Sequence, residues 1–366
     1  MNHNTQRLHA LGQSLWLDNI SRRLLDDGSL RLYIDEFSVT GLTSNPTIFD
    51  EAIGAGDTYD EGIRVKAATG KSGEALFVEL ALEDLRRAAD MFRPIFDATD
   101  RADGWVSMEL SPLLADDTAG SVEAAKQIYR QADRPNLFVK IPGTPAGVPA
   151  IEESIFAGVP INVTLLFSRE QYLAAAEAYL RGIERRLAAG LDARVGSVAS
   201  VFVSRWDRAV GDQAPAALRN KLGIAVAAQS YRAYRELLTS PRWRKLADAG
   251  AQPQRLLWGS TGTKDPQASA TLYIEALAAP DTINTMPEKT LRAFAEHGRL
   301  GAAMPDDGGD AETVLSNFKE AGVDVDALAA QLQQEGAQAF VKSWHALLRR
   351  IAEKSDALAD AGARNA

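Results

Sequence analysis

Eight short apolar runs punctuate the chain: SLWLDN (residues 14–19), SVTGLTS (38–44), GWVSMEL (104–110), NLFVKIP (136–142), PINVTLLF (160–167), SVASVFVS (197–204), RLLWGST (255–261) and DTINTM (281–286). Their length and near-continuous apolar character predict strands enclosed on both faces, as in a parallel sheet. Between them lie longer segments with helical spacing, as in Tyr172, Ala176, Tyr179, Leu180, Ile183 and Leu187, preceded by Ser168 and Gln171 at capping-box spacing. Strand followed by helix, repeated eight times, points to an α/β fold of the (β/α)8 barrel type.

The chain has 366 residues, more than the roughly 250 of a bare barrel. Two helical stripes account for the excess. Phe77, Leu80, Ala81, Leu85, Ala88 and Phe92 predict extra helix after the second strand, and Phe340, Trp344, Leu347, Leu348 and Ile351 predict a C-terminal helix whose stripe reads as packing. We read one barrel domain over residues 1–366, with 304–366 a connector and helical extension, because the turn-rich MPDDGGDAE does not separate two cores.

Composition narrows the chemistry. A net charge of −9 excludes a general nucleic-acid or anionic-membrane binder, so any phosphate must be met by a local site. No cysteine is present, which removes thiolate nucleophiles and Cys-based metal sites and suits a reducing, cytoplasmic setting. No apolar run approaches a membrane span, and the start of the chain has no signal core. The four histidines, His3, His9, His297 and His345, have no metal-ligand spacing. Neither a metal nor a cofactor is expected.

In such a barrel the site forms at the C-terminal ends of the strands. The candidate ends carry Asp18, Asn45, Glu109, Lys140, Asn162 with Thr164, Ser200 with Arg205, and Ser260 with Lys264. Taken singly, each also has a structural reading. Asp18 or Asn45 could cap a following helix, Asn45 with Pro46 at the first helical position. Lys140 could snorkel to water, Glu109 could meet a surface cation, and Lys264 could be a solvated loop lysine. Asn162 and Thr164, two apart on a strand whose other face is Ile161, Val163 and Leu165, point inward or form a buried network.

Lys140 decides the chemistry. Among Leu137, Phe138, Val139 and Ile141 its charged form is disfavoured, and a free amine attacks carbonyls to give a Schiff base, an electron sink for cleaving an adjacent carbon–carbon bond. Asp18 and Glu109 would move protons. Asn45, Asn162 and Ser200 would hold hydroxyls, and Arg205, Ser260 and Lys264 a phosphate.

These motifs, LWLDN, GLTSNPTIF, VSMELSPLLADDT, FVKIPGT, INVTLLFS, VFVSR and WGSTGTKDP, resemble the transaldolase family across nearly the whole chain. The resemblance implies a (β/α)8 barrel that reversibly transfers a dihydroxyacetone unit between sugar phosphates in the pentose phosphate pathway. It implies Lys140 as the Schiff-base lysine and Asp18 as acid/base at the substrate C4 hydroxyl. Glu109, through a water near Thr164, would serve imine formation and hydrolysis. It further implies hydroxyl contacts from Asn45, Asn162 and Ser200 and phosphate contacts from Arg205 and Ser260. The family's more familiar form has an arginine where this chain has Gly262, with Lys264 two residues on as a substitute, and it reads SPFVGR where this chain has SVFVSR.

Two other readings stand beside it: a related aldolase that cleaves fructose 6-phosphate without an acceptor, and a non-catalytic sugar-phosphate sensor. The aldolase branch tends to carry glutamine and tyrosine at the positions of Glu109 and Phe202. Sugar phosphates are the expected partners, and monomer and homodimer both remain open.

Overall fold

A computed structural model describes residues 1–364. Each of the eight apolar runs forms a parallel strand: β1 (Ser14–Asp18), β2 (Val39–Thr43), β3 (Val106–Glu109), β4 (Leu137–Pro142), β5 (Ile161–Leu166), β6 (Ser197–Phe202), β7 (Arg255–Gly259) and β8 (Ile283–Met286). Every strand pairs with the next, and β8 closes on β1, so the (β/α)8 barrel expected from the pattern is the fold.

The period of two sorts each strand between two cores. Outward residues such as Leu15, Leu17, Leu137, Val139, Ile141, Ile161 and Val163 join the large core under the helices. Inward residues begin with an apolar layer: Trp16, Phe138, Val198, Leu257 and Ile283, joined by Trp105 and Phe96. Trp105 and Phe138 stack with ring centroids 3.9 Å apart and form the barrel floor. Gly41 is required there, because a Cβ on it would stand 2.7 Å from the Trp16 ring and from the Trp105 carbonyl oxygen. Two residues further along, the inward layer turns polar at Asp18, Lys140, Ser200 and Thr285, while β7 places Gly259 there.

After β2 come helices Pro46–Gly54, Asp60–Ala68 and Gly73–Ala98, the last burying the whole Phe77-to-Phe92 stripe. Helix Arg169–Ala188 starts as its capping signal predicts: the Ser168 hydroxyl accepts from the Gln171 N–H at 3.1 Å. The reciprocal bond is displaced by one residue, with the Gln171 side chain accepting from Phe167 N–H at 2.7 Å.

Beyond β8 and helix Glu288–His297, helices Ala311–Glu320 and Val325–Arg364 complete the described chain. The last of these spans 40 residues and lies across the C-terminal end of the barrel. It meets helix Pro46–Gly54 on one side and β5 on the other. Among the described residues no helix is long and apolar enough to cross a membrane.

Candidate active site

The strand register answers why a lysine sits in an apolar strand. Phe138 and Lys140 share the inward face of β4 while Leu137, Val139 and Ile141 face the helices. The amine is therefore not surrounded by aliphatic groups, as the linear pattern suggests. It meets a polar layer. Lys140 is directly paired with Glu109 of β3 in the ladder, and its Nζ lies 2.6 Å from Glu109 Oε2 with both side chains 7% exposed. Nζ also donates to the Ser44 carbonyl at 3.0 Å. Glu109 meets this buried cation, not a surface one.

Asp18 ends β1 on the far side of β2. It caps no helix, since Ser21 caps Arg22–Asp26. Instead it accepts from Thr43 Oγ1 at 2.7 Å, and Thr43 Oγ1 lies 2.7 Å from Thr285 Oγ1 of β8. If Asp18 is ionised it only accepts, so Thr43 spends its proton on the carboxylate and Thr285 must donate to Thr43. The hydroxyl chain has one direction.

Asn45 does cap helix Pro46–Gly54, with Oδ1 accepting from Ile48 N–H at 3.1 Å, and it also lines the cavity. Its Nδ2 remains to face a ligand.

The cavity at the strand ends brings together Asp18, Asn45, Lys140, Thr164, Ser200, Arg205 and Ser260. Three other expected residues stand elsewhere. Glu109 lies behind Lys140. Asn162 is fully buried in a network, accepting from Ser200 Oγ at 2.7 Å and donating to Ser107 Oγ at 3.2 Å. Lys264 lines an adjoining cleft with Ser204, Arg208 and Asp265. Its Nζ nonetheless comes within 3.7 Å of where a Cβ on Gly262 would stand, and its charge reaches Asp18.

Thr43, Thr285, Phe202 and Phe340 also line the strand-end cavity, with Leu257 and Gly259 of β7. Neither threonine nor Phe340 was singled out by the sequence pattern. Phe340 belongs to the C-terminal stripe read as packing, and it does pack, as Trp344, Leu347 and Ile351 do, in a cluster with Leu165 and Phe202; its ring also lines the site. The Thr164 hydroxyl is buried without a hydrogen-bond partner and lies at the cavity wall.

Electrostatics differ across the cavity. Burial pushes the Asp18 carboxyl above the usual range, opposed by the Thr43 hydroxyl and the charges of Lys140 and Lys264. Burial also raises Glu109, opposed by Lys140 and reinforced by the neighbouring Asp18 charge. Arg205 has no hydrogen bond or ion pair among the described residues, and its guanidinium lies over the rings of Phe202 at 4.9 Å and Phe340 at 5.9 Å. A half-buried cation left in this way is open to an anion.

Backbone geometry is strained at the same place. Leu165 and Ser260 are non-glycine residues with φ of 57° and 54°. The first coincides with an irregularity in the β5–β6 pairing. The second holds the Ser260 hydroxyl 3.0 Å from that of Ser204.

Residues 15–351 match the transaldolase/fructose-6-phosphate aldolase family. The chain belongs to that family. A transaldolase of Parafrankia sp. is 45% identical to it, covering 95% of this chain and 96% of the relative. A transaldolase of Saccharopolyspora erythraea is 44% identical over 97% and 98%, and one of Thermobifida fusca 44% over 95% and 97%. The family match covers all eight strands but for Ser14 at the start of β1, and all ten candidate side chains.

Proposed function

We propose that this chain is a transaldolase of the pentose phosphate pathway. It moves a dihydroxyacetone unit from fructose 6-phosphate or sedoheptulose 7-phosphate to glyceraldehyde 3-phosphate or erythrose 4-phosphate, through a Schiff base on Lys140. The single observation that carries this reading is the 2.6 Å approach of Lys140 Nζ to Glu109 within a cavity that Asp18 lines from the other side. One amine and two separately held carboxyls are what imine chemistry and aldol cleavage require.

The steps follow from the placement. Lys140 gives a proton to Glu109 and attacks the ketose C2 carbonyl. Glu109 returns the proton as water leaves, forming the iminium, and the Thr164 hydroxyl is free to hold that water. Asp18 takes the C4 hydroxyl proton, the C3–C4 bond breaks into the iminium, and the aldose phosphate departs. An enamine stays on Lys140, adds to the acceptor aldehyde, and the same steps run backwards. Asn45 Nδ2 and Ser200 orient hydroxyls, with Asn162 holding Ser200 from behind. Arg205, Ser260 and Lys264 take the phosphate, and the position of the Lys264 amine beside Gly262 supports its standing in for the family's arginine.

The same residues favour transfer over simple cleavage. Glu109 can store and return a proton, which a glutamine cannot. With fructose 6-phosphate and erythrose 4-phosphate together, sedoheptulose 7-phosphate and glyceraldehyde 3-phosphate are expected. With fructose 6-phosphate alone, product should stop near one equivalent of enzyme. Steady release of free dihydroxyacetone would assign the chain to the aldolase branch. The cysteine-free sequence supports a cytoplasmic location.

The threonine chain makes a second prediction. Thr285→Val removes the donor behind Thr43, so Thr43 polarises less and stabilises the Asp18 carboxylate less. The acid limb of kcat/KM, set by Asp18 in the field of Lys140, Lys264 and Glu109, should move to higher pH. At neutral pH the loss should be about threefold to tenfold, the worth of one hydrogen bond. Thr285→Ser should restore both. An unmoved limb would remove Thr285 from the chain.

A further inference from the structure

The C-terminal helix Val325–Arg364 does more than cover the barrel. Its Gln333, Gly336 and Phe340 fall on one face at helical spacing. Gln333, only 9% exposed, donates through Nε2 to the carbonyls of Gly143 and Leu165, both at 2.9 Å. Gly143 directly follows β4 and Leu165 lies near the end of β5, and Leu165 is the residue in the left-handed conformation. Strain of that kind persists only where neighbours over-determine it. Gln333 is such a neighbour.

One turn on, Gly336 leaves a notch. A Cβ there would stand 2.8 Å from Leu165 Cδ2 and 3.0 Å from Arg205 Nη1. The guanidinium is thus held by shape, by the two aromatic rings and by the clamped Leu165, with no hydrogen-bond or ion-pair partner among the described residues. The far part of the helix fixes the register of this face. Thr47 and Ser343 hydroxyls bond at 2.8 Å, Trp344 packs edge-on against Phe77 at 5.2 Å, and Arg350 pairs with Asp50 at 2.6 Å.

We propose that Gln333 and Gly336 are positioning residues that set the Arg205 guanidinium for a substrate phosphate. The preference for phosphorylated donors is thereby governed by the C-terminal helix. This rests on the reading of Arg205 as the phosphate contact.

The test measures KM and kcat for fructose 6-phosphate and the inhibition constant of inorganic phosphate in the full chain. Gly336→Ala should raise KM and the phosphate inhibition constant together by about tenfold, with kcat changed less than about twofold, because misplacing a binding group weakens both complexes alike. In an Arg205→Ala background the same change should add nothing, since its target is gone. Gln333→Met, which removes both clamping bonds, should act in the same direction and serves if Gly336→Ala does not fold.

Unchanged constants, a fall in kcat at constant KM, or additive effects in the double variant would overturn the proposal. If Arg205→Ala itself moves neither constant, the phosphate reading beneath it falls as well. If only Arg205→Ala moves them, that reading stands and this one is lost.

Discussion

Lys140→Met is expected to lower kcat by at least about 10⁴-fold, because among the described residues no other lysine lines the cavity to form the covalent intermediate. Borohydride reduction in the presence of fructose 6-phosphate should attach a three- or six-carbon adduct to the wild-type peptide containing Lys140 and leave the variant unlabelled. An adduct on another lysine, or turnover that survives the substitution, would end the proposed chemistry. The variant also makes a stability prediction. Without the ammonium, Glu109 loses the nearest group that opposes its burial, so its folded-state pKa rises further above the unfolded value. The folded state then keeps a proton that the unfolded state has lost, and stability falls as pH rises through the folded pKa. Melting of Lys140→Met should therefore worsen towards alkaline pH. Adding Glu109→Gln should flatten that trend.

Arg205→Ala should raise KM for fructose 6-phosphate on the order of 100-fold while kcat changes far less, since a charged contact to phosphate contributes about 1.5–3 kcal/mol. Arg205→Lys should recover only part of this: an ammonium lacks the planar fork that fits phosphate and rests between two aromatic rings. Steady-state kinetics with the phosphorylated donor, beside the unphosphorylated sugar as reference, separates the two parameters. Equal losses for both sugars would show that the arginine holds the fold and not the phosphate.

How much of this was legible without coordinates depended on the range of the signal. The strands were legible because burial on both faces leaves unbroken apolar runs. The inward polar residues stood out against those runs, as Lys140 and the Asn162–Thr164 pair show. What the linear pattern misjudged was the environment of Lys140. Alternation assigns neighbours along one strand, whereas Glu109 reaches the amine across the ladder, a relation fixed by register. Thr43 and Thr285 are small neutral residues 242 positions apart, and only barrel closure makes them neighbours. Phe340 escaped for another reason. A helical stripe marks the side that faces the rest of the protein, and it is the same stripe whether that side meets a core or a cavity.

The stacked rings of Trp105 and Phe138 have a consequence for the order of events. They shut the lower end of the barrel, so sugars have one doorway, at the end crossed by the C-terminal helix. An aldose released by cleavage must leave through that doorway before the next can enter. Double-displacement kinetics, with the first product departing ahead of the second substrate, is then imposed by the shape of the vessel as well as by the covalent bond within it.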